Sequence, residues 1–121
     1  MPALFRSVLA ASLLPCVLAI APAAAQSPGE LRSQHAQAQL SARYTQLWAQ
    51  MPAAQRAPFG RSERQWLHVT RWEEQQRCVA AHAAASQTTA VAEQAEIAAA
   101  CLAAVTLQRL RSLPGAALAA R

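Results

Sequence analysis

Apolar residues recur along this chain at helical spacing and do not alternate. Leu40, Tyr44, Leu47, Trp48 and Met51 fall at i, i+4, i+7, i+8 and i+11, one stripe at the period of an α-helix, with Arg32, Gln39 and Arg43 on the polar side. Ser27-Pro28-Gly29-Glu30 supplies a start: a serine to cap, a proline at the first helical position and a glutamate to complete a capping box. Pro52 supplies the stop, because the residue before a proline is pushed out of the α region. A first helix over 28–50 is predicted.

Residues 52–61 hold Pro52, Pro58 and Gly60 and read as a connection. Ser62-Glu63-Arg64-Gln65 reads as a second capping box, opening a helix that runs to about residue 84. Trp66, Leu67, Val69 and Trp72 are its early apolar contacts and Cys78 and Val79 its late ones, with Glu73, Glu74, Gln75, Gln76 and Arg77 on its wet side. A third helix begins near Ala90, after the polar connector Ser86-Gln87-Thr88-Thr89, with Glu93 and Glu96 near its positive end. Cys101, Leu102, Val105, Arg109 and Leu113 share a side, Ile97 and Leu110 flank it, and Pro114-Gly115 ends it. No strand pattern and no solenoid-period repeat occurs. The fold class is therefore all-α: a small antiparallel bundle of about three helices. Cys78 and Cys101 lie at similar distances on either side of the connector, so a helical hairpin sets them opposite each other.

The N-terminus does not share this pattern. Arg6, an apolar run from Val8 to Ile20 and Ala23-Ala24-Ala25 match a secretory signal over residues 1–25, too short to span a bilayer. Leu13-Leu14-Pro15-Cys16 resembles a lipoprotein box, but proline beside the cysteine and apolar sequence beyond it argue against lipidation and a membrane anchor. Removing 25 of 121 residues leaves 96, as a helical domain over 26–113 and a loose tail over 114–121. That mature chain keeps two cysteines, Cys78 and Cys101. An even count in a periplasmic or secreted chain points to a disulfide between them.

The order of motifs carries a family resemblance. An aromatic and leucine helix (Leu40, Tyr44, Leu47) is followed by Glu63 to Leu67, with Trp66 and Leu67, and then by Cys78. Cys101-Leu102 comes next, with Thr106, Arg109 and Leu113 at offsets of 5, 8 and 12 from Cys101. This resembles the lysozyme inhibitor LprI-like family over nearly all of the mature chain. The Cys101 half is the more specific. In the other half, Cys78 stands twelve residues after Trp66 where the family has about eight. The family's aspartate and its earlier cysteine pair are missing. The resemblance implies an exported helical domain that binds a lysozyme or related muramidase and occludes its cleft, with Trp66, Leu67, Leu102, Thr106, Arg109 and Leu113 shaping the fold.

Charge complicates that implication. All eleven basic residues are arginine, there is no lysine or aspartate, and the mature chain carries 10 Arg against 6 Glu. An inhibitor of a cationic lysozyme gains on-rate from an acidic face, so Glu63, Glu73, Glu74, Glu93 and Glu96 would have to gather on one surface. Contact candidates on the exposed side of the second helix are Arg71, Trp72, Glu73 and Glu74. Arg109 reads either as an inward residue that bonds carbonyls or a glutamate, or as an exposed contact. The alternative function is a non-enzymatic envelope adaptor or chaperone-like protein that meets its partner through arginines. No GxSxG, HExxH or phosphate-cradling glycine loop occurs, so no catalytic residue, enzyme activity or cofactor is expected. Cys78 and His82 have metal-pair spacing, but only Cys101, His35 and His68 could complete a site, so no metal is expected. The arginines do not interleave with aromatics as nucleic-acid binders require.

Overall fold

The computed structural model describes residues 25–87 and 89–115. The signal reading, Cys16 and most of the tail lie outside them. The first helix, α1 (Pro28–Gln50), starts on the expected capping box. The Glu30 N–H donates to Ser27 Oγ at 3.2 Å, and the Ser27 N–H donates to Glu30 Oε2 at 2.9 Å. Met51 adopts extended backbone ahead of Pro52 and closes the helix.

The expected connection over 52–61 is not there. Helix α2 (Ala53–Gln65) begins directly after Pro52 and carries Pro58 and Gly60 within it, so the capping box at Ser62 does not form. Pro58 lies in the second turn, where it removes one ladder bond, the one to the Ala54 carbonyl. Both residues are exposed, so water can take that carbonyl's lone pairs. The rod then continues without a break. A five-residue π-helical turn (Trp66–Thr70) comes next, with the Arg71 N–H bonded back to the Trp66 carbonyl, and leads into α3 (Arg71–Ser86). Gln87 closes α3 in the left-handed region at φ 52°, and α4 (Val91–Ser112) runs back along it. Among the described residues there are three rods: α1, the joined α2–α3, and α4.

α4 is the central rod. Its broadest contact is with α1 and its second with α3. Gly29 of α1 lies against Glu96, and Arg43 donates to the Pro114 carbonyl, so α1 and α4 run parallel while the middle rod opposes both. Leu40, Leu47, Trp66, Val105 and Leu113 form the core, with Tyr44, Phe59, Leu67 and Leu110 packed around it. The disulfide expected from the cysteine count is present. Cys78 and Cys101 are joined across α3 and α4 with their Cα atoms 5.7 Å apart.

The π turn explains where the pattern misleads. A wide turn rotates the downstream side chains relative to a straight α reading. Trp72, read both as an apolar contact and as an exposed contact candidate, is exposed at 45%, and Val69, within the turn and read as an apolar contact, at 40%. Gln75, expected on the wet side, is buried and donates from Nε2 to the Ala98 carbonyl at 2.9 Å. No helix among the described residues is long and apolar enough to cross a membrane.

Gly29 brings the start of α1 close against α4. A Cβ there would stand 2.7 Å from Glu96 Oε1 and 3.0 Å from the Glu96 backbone oxygen. Alanine would improve helix propensity by up to about 1 kcal/mol, but it overpacks a backbone contact, which costs about 1–3 kcal/mol. Gly29→Ala is therefore expected to lower the thermal midpoint, and an unchanged or raised midpoint would show that the two helices separate freely.

Candidate functional site: an aromatic groove over a buried ion pair

The two-residue corner at Met51-Pro52 folds α2 back against the last turns of α1. Tyr44 and Phe59 meet edge to face, with ring centroids 6.0 Å apart and planes at 83°. Beyond them the helices part. Tyr44, Thr45, Trp48, Ala49, Phe59, Gly60 and Glu63 line an open, mostly apolar groove of about 440 Å³. Trp48, four residues after Tyr44, is 45% exposed on its rim. The Arg56 guanidinium stacks 5.9 Å from that ring. Arg64 Nη1 reaches the same edge, 3.5 Å from where a Cβ on Gly60 would stand.

Beneath the groove lies a polar cluster. Glu63 is 7% exposed, and its Oε1 accepts a charge-assisted bond from Arg109 Nη2 of α4. Arg109 also stacks 5.7 Å from the Trp66 ring. The inward reading of Arg109 is thus the observed one, and its glutamate is a residue read from sequence as part of a helix cap. Burial opposes the Arg109 charge, but the Glu63 carboxylate and then Tyr44 outweigh it and hold the guanidinium above its usual value. The buried Tyr44 phenol lies against the pair. Burial first, and then the Glu63 carboxylate, raise it well above its ordinary value of 10.0, with Arg109 pulling the other way.

That shift has a readable sign. In the unfolded chain Tyr44 ionises near its ordinary value, whereas in the fold it keeps its proton. The unfolded state binds fewer protons above that pH, so stability falls as pH rises beyond about 10. Tyr44 is the single tyrosine of the chain. Its phenolate absorbance should appear only at higher pH in the native protein, and Tyr44→Phe should flatten the alkaline loss. A native phenol that titrates near its ordinary value would contradict the burial argument.

The residues expected from sequence fall into separate places. Arg71 stacks 4.6 Å over the exposed Trp72 ring, Glu73 is exposed beside them, and half-buried Glu74 lines a recess with Arg77 and Cys78. Trp66, Thr106 and Leu113 are buried, Leu67 and Leu102 half-buried, and Thr106 Oγ1 donates to the Leu102 carbonyl at 2.7 Å. These side chains build the fold. The glutamates do not gather, because Glu63 is buried on Arg109, Glu96 is half-buried against Gly29, and Glu30 caps α1. His68 and His82 are both exposed. The described residues contain one group of three metal-capable donors, Cys78, His82 and Cys101.

Sequence reasoning missed the groove, although a signal for it exists. Tyr44 and Trp48 stand one turn apart before a proline corner, and Phe59 stands after it. No family model, no curated protein and no solved structure matches this chain.

Proposed function

We propose that the protein is an exported, non-enzymatic helical binding protein that docks another envelope protein in the groove between α1 and α2. The observation that carries the reading is the pairing of an exposed Trp48 with Arg56 on the rim of an apolar trough. Tryptophan and arginine dominate binding energy at protein interfaces, where a central anchor contributes about 2 kcal/mol or more. Arg56 and Arg64 border the trough, and Glu63 beneath it is neutralised by Arg109. The partner segment best suited to it offers an apolar side chain flanked by carboxylates. The positive net charge of the chain acts in the same direction.

A second reading, occlusion of a lysozyme-type muramidase, draws support from the family resemblance and from one observation. The stacked Arg71–Trp72 pair stands exposed beside Glu73, as a contact ridge would. The dispersal of the other glutamates weighs against it for a cationic target. The two readings separate in one pair of assays. Peptidoglycan lysis by C-type lysozyme is expected to proceed unslowed at micromolar protein. Capture of the envelope partner is expected to weaken at least tenfold in Trp48→Ala and Arg56→Glu, with helicity unchanged. Slowed lysis that is relieved by Trp72→Ala, with no effect of Trp48→Ala, would replace the first reading by the second.

A further inference from the structure

Cys78 and His82 stand one turn apart on α3, and Cys101 meets them from α4. One donor atom from each, two sulfurs and an imidazole nitrogen, lie within 4.8 Å of one another. The sulfurs are joined in this structure. Every copy of the chain nevertheless begins as a dithiol, because the S–S bond forms only when an oxidant removes two electrons and two protons. In that form the same three groups are available as ligands. We infer that the dithiol form of this protein holds a thiophilic divalent cation of the zinc class on Cys78, Cys101 and His82, in the position the disulfide later takes.

The donor set suits that class of ion. Two thiolates and an imidazole are zinc ligands, and cysteine and histidine four apart share one helix face. Zinc–sulfur bonds of about 2.3 Å in a tetrahedron place two thiolates about 3.8 Å apart. The sulfurs must therefore move outward from their bonded separation, while the histidine nitrogen already lies within reach. The backbone needs little change, since the cysteine Cα atoms are 5.7 Å apart across two packed helices.

Burial sets the form of the site. Cys101 is 1% exposed, Cys78 half-buried and His82 exposed, so the ion would sit at the edge of the bundle with water as its fourth ligand. Two thiolates cancel the charge of the ion, so no net charge is placed against the half-buried Ile97 and Val79 nearby. Binding transfers no electrons: one divalent ion displaces one proton from each of two thiols. Oxidation by a disulfide donor would then form the S–S bond and release the ion, so the two clasps exclude each other. None of this depends on the groove or on its partner.

The test uses the whole protein, reduced with a phosphine under inert gas and titrated with Co²⁺. Thiolate-to-cobalt charge-transfer and tetrahedral ligand-field bands are expected to saturate at one ion per chain and to vanish on adding Zn²⁺. Oxidised protein should show neither. His82→Ala is expected to weaken binding about tenfold or more, since losing a direct ligand costs at least as much as losing a supporting one. Zn²⁺ should raise the thermal midpoint of reduced protein, and a chelator should reverse it. If the dithiol chain is unfolded without metal, gain of helicity on adding Zn²⁺ replaces the midpoint. The inference is overturned if no thiolate bands appear, if His82→Ala binds as tightly as the reduced parent, or if Zn²⁺ changes neither midpoint nor helicity.

Discussion

Arg109→Ala is expected to lower the unfolding free energy by about 3 kcal/mol, at the lower end of the roughly 3–5 kcal/mol lost when a buried ion pair is deprived of one member. Alanine would leave the Glu63 carboxylate buried beneath the groove with no countercharge. The lower end applies because the Arg109 side chain is 21% exposed, against 9% for Glu63, so water softens the loss. The Trp66 stack would go as well. The pair itself is not expected to be a large net source of stability, since desolvating two charges consumes most of their attraction. Replacing both, as in Glu63→Leu with Arg109→Met, should therefore restore most of what the single change removes. Urea melts of the two single variants and the double variant give the coupling directly. A single-variant loss below about 1 kcal/mol would mean that the pair is screened like a surface contact.

Removing the disulfide by Cys78→Ser with Cys101→Ser is expected to cost roughly 3 kcal/mol. The cysteines are 23 residues apart, and closing a loop of that length restricts the unfolded chain by about this much in the chain-entropy model. For a domain whose whole stability is of the order of 5–15 kcal/mol, that is a large share. The loss should also be visible locally. Beyond Cys78 residues 80–87 are exposed, as are residues 89–95 ahead of Cys101, so the hairpin end projects past the core. Amide protection there should fall first on reduction, while Leu40 and Val105 keep theirs. Equal loss of protection at both ends would show that the clasp acts on the whole bundle.

Much of the bundle is legible in the chain itself. The capping box at Ser27, the stripe from Leu40 to Leu47, the stop at Pro52 and the cysteine pairing all rest on local chemistry that tertiary contacts then reinforce. Two features are not legible, each for a physical reason. Pro58 and Gly60 are poor helix residues, yet Phe59 and Glu63 between and beyond them reach Tyr44 and Arg109, and those contacts outweigh local propensity. The turn at Trp66–Thr70 leaves no mark in a pattern read at one fixed period, so such a reading puts the buried Gln75 on the wet side. The candidate site suffers most. Its floor joins Glu63 to Arg109, 46 residues apart in the chain, and only the folded arrangement of α2 and α4 makes them neighbours.

The same five-residue turn also governs which changes of length the middle rod can absorb. It holds one residue more than a regular α-helix uses to cover that stretch. A chain shortened by one within 66–70 could run as unbroken α-helix, with Glu63 still aimed at α4 and Cys78 still abreast of Cys101. The same deletion anywhere else between those two anchors would swing one of them about 100° around the axis. Either the carboxylate or the sulfur would then face water, and relatives of differing length should carry their insertions and deletions in this turn.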